Sequence, residues 1–210
     1  MQHIPWVKAF VGLLAIVNPI GNAALFLSMT GSSTPVERRR VAATTAIAVA
    51  ITLSICVVAG SAMLEFFGID VDDLRLAGGL VVLTIGLSML RAQQSPAHGG
   101  AVETVEGAQK DSPAVVPLAI PMVAGPGAMA TAIVFAHEVS GWLEKGMLIG
   151  VVVANAAIVY VAFRVATPLQ RGLGVSGMNI VVRIMGLVLS AIAMDMLVAG
   201  LRGSFPSLAA

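Results

Sequence analysis

Six stretches of about 20 predominantly apolar residues, set apart by polar breaks, make up most of this 210-residue chain. They fall at residues 6–29, 41–67, 74–91, 113–136, 146–168 and 179–201, each long enough to cross a bilayer as a helix. The breaks read TGSSTPVERRR, GIDVDD, RAQQSPAHGGAVETVEGAQKDSP, HEVSGWLEK and PLQRGLGVSG. Only the third is long, and its Gly, Ala, Gln and Ser content marks a linker between two halves. The pattern predicts an all-α membrane protein with three spans in 1–92, a cytoplasmic linker at 93–112, and three more spans in 113–210.

Two of the predicted spans carry residues that interrupt a helix. The first contains NPIGN, which places Asn18, Pro19, Ile20, Gly21 and Asn22 midway along an apolar run. The fourth contains AGPGA, with Gly125, Pro126, Gly127 and Ala128. Proline lacks the N–H that an intact helix needs and clashes with the preceding turn, and glycine favours the coil. A single such site reads as a proline kink packed against its neighbours. Two sites at matching positions read instead as discontinuous helices around a midplane binding site.

The match extends further at a shift of about 107 residues. VNPIGNAA aligns with AGPGAMAT, so that Pro19 falls on Pro126; FFGIDVDDLRLAGGLVVL aligns, with a two-residue gap, with GLGVSGMNIVVRIMGLVL, so that Arg75 falls on Arg183 and Gly78 on Gly186. Each half holds an odd number of spans, so the second half is expected to insert upside down relative to the first. The expected architecture is therefore six transmembrane helices as two inverted three-helix repeats, with spans one and four discontinuous. Chance similarity between glycine-rich apolar helices is the competing explanation of the match.

Loop cations set the expected orientation. Arg38, Arg39 and Arg40 lie in the first break, Arg91 and Lys110 in the third, and Arg171 in the fifth, whereas the second is acidic, with Asp70, Asp72 and Asp73. Odd breaks then face the cytoplasm and both termini lie outside. The N-terminal run is too long for a signal sequence and is read as a retained first span.

Composition narrows the function classes. The chain is 58% hydrophobic and 11% charged, with a net charge of +1, and ERRR at 37–40 is its only basic cluster, so no nucleic-acid partner is expected. The single Cys56 lies in an apolar run and reads as a small buried hydrophobe. HEVSG at 137–141 opens like a zinc-protease motif but lacks the second histidine, and there is no phosphate-binding G-x-x-x-x-G-K-[ST] loop. Neither a metal site, a cofactor nor an enzyme is expected. Ser88 and Ser190 have no base in reach and read as helix-packing residues, as do Ala77, Gly78, Gly79, Gly86 and Gly186. Asp195 is the one carboxylate well inside a span, a candidate proton carrier or cation ligand against the alternative of an outer-interface residue. Arg75 and Arg183 read as snorkelling cations or partners of nearby acids, and Glu65 and Glu138 as solvated span ends.

The stretches NPIGNAALFLSMT at 18–30, RLAGGLVVLTIGLSML at 75–90 and VPLAIPMVAGPGAMAT at 116–131 resemble the MarC family of integral inner-membrane proteins, as does RIMGLVLSAIAMDMLVAGL at 183–201. The resemblance covers nearly the whole chain except the third break. It implies six spans, an outside N-terminus, inverted three-helix repeats and a bacterial inner-membrane location. SnatA-like members are small neutral amino acid transporters acting on glycine and alanine, which implies that substrate class here, with the pocket mapping onto Asn18–Asn22 and Gly125–Ala128. The residues agree with it: a zwitterion suits opposed half-helix ends, and the small residues at the breaks leave room only for a small side chain. Expected, then, is a secondary carrier working by alternating access, coupled to protons or another ion. Efflux of drugs or metabolites is the alternative, although the aromatic content is only 5%. A non-transporting membrane partner or an intramembrane enzyme stands further off.

Overall fold

The computed structural model describes residues 6–91 and 114–205. All regular structure among them is helical: α1 (Trp6–Val17), α2 (Pro19–Met29), α3 (Pro35–Phe67), α4 (Val71–Leu90), a π-helical α5 (Ala114–Val123), α6 (Pro126–His137), α7 (Trp142–Arg164) and α8 (Ala166–Ser204). Five helical stretches are long and apolar enough to cross a membrane: Trp6–Met29, which joins α1 and α2, then Pro35–Phe67, Val71–Leu90, Trp142–Arg164 and Ser176–Ser204; α6 is a shorter apolar helix. The predicted linker at 93–112 lies outside the described residues.

Local chemistry explains the boundaries. Thr34 and Glu37 form a reciprocal capping box, the Thr34 N–H donating to Glu37 Oε2 at 2.7 Å and the Glu37 N–H to Thr34 Oγ1 at 3.3 Å, with Pro35 in the first turn. Helix α3 therefore starts at Pro35, six residues before the apolar run at 41 from which the span was expected to begin. Its far end closes on Gly68, whose φ of 65° is the left-handed cap that glycine supplies without strain. The predicted fourth span, 113–136, is discontinuous as expected: it divides into α5 and α6 at Pro126, which cannot donate back across the break. One expectation is corrected. The fifth polar break, PLQRGLGVSG, is not a loop: it is helical within α8 except at Gly174, where φ 63° and ψ −179° bend the chain.

The core is apolar and close-packed, with Leu13, Val17, Phe26, Val49, Leu53, Val57, Val82, Leu118, Val123, Leu148, Val152 and Leu189 fully buried. The opposite faces are equally apolar. Ile47, Ile51, Ile55 and Val58 of α3 form an exposed stripe at near-helical spacing, and Leu80 and Leu187 are also exposed. An outward apolar surface of this kind is the face a membrane helix presents to lipid.

Direction follows from individual contacts. Helices α4 and α8 run antiparallel, Gly79 lying against Leu197, Gly86 against Gly186, and Gly200 against Leu76. The ring of Phe163, at the end of α7, stacks on Phe26 of α2 with centroids 4.5 Å apart. Helix α7 also packs along α1, which requires it to run in the same direction as α1 and α2. One end of the bundle gathers Lys8, Asp72, Arg75, Glu138 and Asp195, joined by ion pairs. Towards the other end lie Arg38, Arg91 and Arg164, at the start of α3 and the ends of α4 and α7.

The main pairings recur between the two halves, although the α1–α8, α6–α7 and α7–α8 contacts have no comparable counterpart among the described residues. Helix α3 packs on α5 and α6, and α7 packs on α1 and α2; α4 packs on α6, and α8 on α2; α3 pairs with α7, and α4 with α8.

Candidate functional site

Each interruption is built differently. In the first, Asn18 adopts φ 46° and ψ 65°, the left-handed region that asparagine tolerates better than other non-glycine residues. That single residue separates α1 from α2. Pro19 follows as the first residue of α2, where its missing N–H costs little, but it leaves the Ala15 carbonyl without the donor that residue 19 would supply in a continuous helix. The two asparagines knit the gap together. Asn18 Oδ1 accepts from the Gly21 N–H at 3.2 Å, the Asn18 carbonyl accepts from the Asn22 N–H at 3.0 Å, and Asn22 Nδ2 donates to the Val17 carbonyl at 2.8 Å. Both side chains are buried, and Asn18 Nδ2 also approaches Met89 Sδ of α4 at 3.7 Å. Ile20 lies between, half-buried in the first turn.

The second interruption has no such repair. The Ala124 N–H closes a wide turn onto the Ala119 carbonyl at 2.8 Å, ending α5, and Gly125 starts α6 with extended backbone and no side-chain cap. Pro126 is exposed, whereas Gly125, Gly127 and Ala128 are buried. Met129 N–H reaches the Gly125 carbonyl at 3.0 Å, leaving the first-turn N–H groups of Gly127 and Ala128 as the donors at the positive end of α6. Gly127 is confined: a methyl placed on it would lie 2.8 Å from Val82 Cγ2 and 3.9 Å from Ile16 Cγ2. Ile16 is two residues before Asn18, so the two breaks approach each other beside the middle of α4. The structure thus places Gly127 of the second set beside Ile16, just before the first set, Asn18–Asn22.

A cavity of about 360 Å³ lies between α1, α4, α6 and α8 and does not touch the break residues themselves. Its walls include Gly12, Thr131, Phe135 and Ile192, and its mouth Lys8, Arg75, Glu138 and Asp195. Gly12 precedes Ile16, and Thr131 follows Gly127, by one helical turn, so the floor of the cavity stands about 6 Å from the breaks.

The charges at the mouth are paired. Lys8 Nζ meets Asp195 Oδ2 at 3.0 Å with both side chains more than 60% exposed, joining α1 to α8. Arg75 is 19% exposed and bridges Asp72 Oδ1 and Glu138 Oε1, each at 2.7 Å, joining α4 to α6. Asp195 is therefore no lone buried acid but an exposed, ion-paired residue at the charged end of the bundle. Glu138 is an ion-pair partner rather than a simply solvated span end. Arg183, the sequence-equivalent of Arg75, is exposed on α8, so the aligned arginines occupy unlike surroundings. Because the Arg75 triad is the better shielded, Arg75→Met should cost about 2 kcal/mol of stability. Lys8→Met should cost less than about 1 kcal/mol, as thermal unfolding of the purified variants would show.

Sequence reasoning passed over one buried polar residue. Asn155 of α7 is 1% exposed, donates from Nδ2 to the Val151 carbonyl at 3.0 Å, and leaves Oδ1 buried without a hydrogen-bond partner. The signal was a lone amide within VVVANAAIVY. Among the described residues, no group of His, Cys, Asp and Glu is placed to hold a metal ion.

A MarC family integral membrane protein model matches residues 3–205. The chain is 39% identical over 207 residues to the membrane protein YhcE of Escherichia coli (strain K12), covering 96% of this chain and 94% of that one. It is 34% identical over 205 residues to the membrane protein YvbG of Bacillus subtilis (strain 168), covering 96% of each. A membrane protein of Methanocaldococcus jannaschii is 36% identical over 201 residues, covering 95% of this chain and 97% of the relative. No solved structure matches. A match of this length, on a chain of apolar membrane-length helices, makes this multi-pass protein a member of the MarC family of integral membrane proteins.

Proposed function

We propose that this protein is a secondary transporter of small neutral amino acids, glycine and alanine foremost, working by alternating access in a bacterial inner membrane. The observation that carries the reading is the meeting of two interrupted helices of opposite character below a cavity. The α6 N-terminus presents uncapped N–H groups at Gly127 and Ala128, which suit a carboxylate. At the first break Asn18 takes up the Gly21 and Asn22 N–H groups, and the Ala15 carbonyl faces no donor from Pro19 and suits an ammonium. A small zwitterion between them would satisfy both ends. The close packing of Val82 and Ile16 around Gly127 is in keeping with a ligand whose side chain is a hydrogen or a methyl group.

In this reading the chain crosses the membrane six times, α5 and α6 together forming the fourth crossing, as two inverted three-helix repeats with both termini outside. Three observations support it. Helix α7 runs parallel to α1, as a fifth crossing must. The start of α1 and the later part of α8 lie at the same end of the bundle, as an even number of crossings requires. Most of the main helix pairings also recur when α1 to α4 are exchanged for α5 to α8, the α1–α8, α6–α7 and α7–α8 contacts being the exceptions. The cation-bearing end at Arg38, Arg39 and Arg40 is then cytoplasmic.

Purified protein in liposomes should take up labelled glycine or alanine saturably, and the absence of flux under proton, sodium and potassium gradients would overturn the proposal. Asp195 is the proposed coupling residue, its carboxylate held by Lys8 across the two halves at the cavity mouth. Asp195→Asn should retain glycine exchange at equal concentrations but lose gradient-driven accumulation. Equal loss of both would assign Asp195 a structural part instead.

A further inference from the structure

We infer that Asn155 is a ligand-binding residue, its side-chain carbonyl accepting the positively charged group of the ligand at the first break. The inference deepens the transporter reading and rests on it for the identity of that ligand. An acceptor buried in a membrane protein has no water to turn to, and leaving it unmet is costly. Asn155 Oδ1 is the one buried side-chain polar atom among the described residues without a partner. The amide orientation is fixed by its own geometry, since Nδ2 donates to the Val151 carbonyl at 3.0 Å and exchanging O for N would set two acceptors against each other.

The position of this acceptor gives it a role. Helix α7 runs parallel to α1 and α2 and is anchored to them by the Phe26–Phe163 stack. Asn155 precedes Phe163 by the same length of chain as Asn18 precedes Phe26, about 12 Å of helix. Asn155 therefore lies at the depth of the first break, on a helix that packs on both α1 and α2. There the C-terminal carbonyls of α1, Ala15 among them because Pro19 has no N–H, are likewise acceptors. At that depth lie acceptors of two helices, and the Asn18 Nδ2, Asn22 Nδ2 and Gly21 N–H donors of the first break are engaged. Such a cluster takes a cation: the ammonium of an amino acid or a sodium ion. The uncapped α6 N-terminus on the other side of the gap takes the anion. Asn155 thereby fixes the polarity with which a zwitterion lies between the breaks.

The test uses the full-length protein in detergent micelles, with glycine binding measured by calorimetry and thermal unfolding followed with and without glycine and with and without sodium chloride, potassium chloride serving as control. Asn155→Leu removes the acceptor while filling the space, and Asn155→Asp keeps an oxygen there. If the ammonium is the partner, Asn155→Leu weakens glycine binding by about 10- to 100-fold, the loss of a hydrogen bond to a charged donor. Its ligand-free unfolding temperature is then unchanged or raised, and Asn155→Asp still binds. If sodium is the partner, wild type is stabilised by sodium over potassium and Asn155→Leu is not, with glycine affinity losing its sodium dependence. Wild-type glycine affinity and wild-type sodium response in Asn155→Leu would overturn the inference and leave the transporter reading intact. A wild-type protein that binds neither glycine nor alanine would overturn the transporter reading. The sodium comparison then decides Asn155 by itself, and no sodium response in wild type rejects it. Should Asn155→Leu fail to fold, Asn155→Ala carries the same comparison.

Discussion

Replacing Pro19 and Gly21 together by alanine should abolish transport while the protein still inserts, folds and unfolds at an unchanged or higher temperature. The first break is held open by a small number of local interactions, and the double change removes the two residues that oppose a continuous helix. Alanine at 19 restores the N–H that the Ala15 carbonyl lacks, and proline in a helix interior disfavours the helix by about 3 kcal/mol relative to alanine. Alanine at 21 adds about 1 kcal/mol more. Its methyl also occupies the space over which the Asn18 side chain folds, so the cap from Asn18 Oδ1 to the residue 21 N–H is lost. That cap is worth about 1 kcal/mol, and the left-handed backbone at Asn18 costs a similar amount. The balance favours healing the helix by a few kcal/mol. The healed helix returns the α1 carbonyls to ordinary helical bonds and removes one side of the gap. Flux in liposomes and unfolding temperature measured on the same preparation check the two halves of the expectation. A double variant that transports normally would show that the break serves packing alone.

That balance also shows what the sequence could and could not disclose. The spans were legible because a bilayer demands long apolar runs, and the breaks because Pro19 and Pro126 leave helix donors missing wherever they sit. The two breaks look alike as strings, NPIGN against AGPGA, yet they differ in chemistry. Asparagine caps and bridges its own gap, whereas Gly125 and Ala128 have no side-chain oxygen with which to do so. The division of the fourth span into α5 and α6 follows from the same proline, and α5 carries Pro117 and Pro121, which supply no N–H to an ordinary α-helical ladder, so its wide-turned geometry is not what its apolar run alone suggests. The helical course of PLQRGLGVSG was hidden because glycine and proline content reads as loop, while only Gly174 leaves the helix. The ion pairs of Lys8 with Asp195 and of Arg75 with Glu138 join residues 187 and 63 positions apart, beyond the reach of any local pattern. Asn155 was passed over because a single amide in an apolar run acquires meaning only when its neighbours are known.

Gly186→Leu should be the most damaging single substitution in the α4–α8 seam, preventing recovery of a folded monodisperse protein. The two helices touch backbone to backbone here. A methyl added at Gly186 would lie 2.8 Å from the Gly86 carbonyl oxygen, 2.9 Å from Met89 Cβ and 3.0 Å from the Leu90 nitrogen. A methyl at Gly86 would lie 2.6 Å from Ser190 Oγ and 2.9 Å from the Gly186 carbonyl oxygen. Neither set can yield by a side-chain rotation, because each includes main-chain atoms of a helix whose own bonds fix them. Over-packing a core commonly costs about 1–3 kcal/mol, and a leucine against two backbones exceeds that range. Small residues are what permits this approach in lipid, where apolar burial alone gives helices little reason to associate. Gly150→Ala supplies the contrast: nothing lies within 4 Å of a methyl there, so the change should leave stability unaltered or raise it by about 1 kcal/mol through helix propensity. Size-exclusion profiles and unfolding temperatures of Gly186→Leu, Gly186→Ala and Gly150→Ala, compared side by side, test the assignment. If Gly186→Leu were as well folded as Gly150→Ala, the seam would not be the close contact from which the two halves take their relative position.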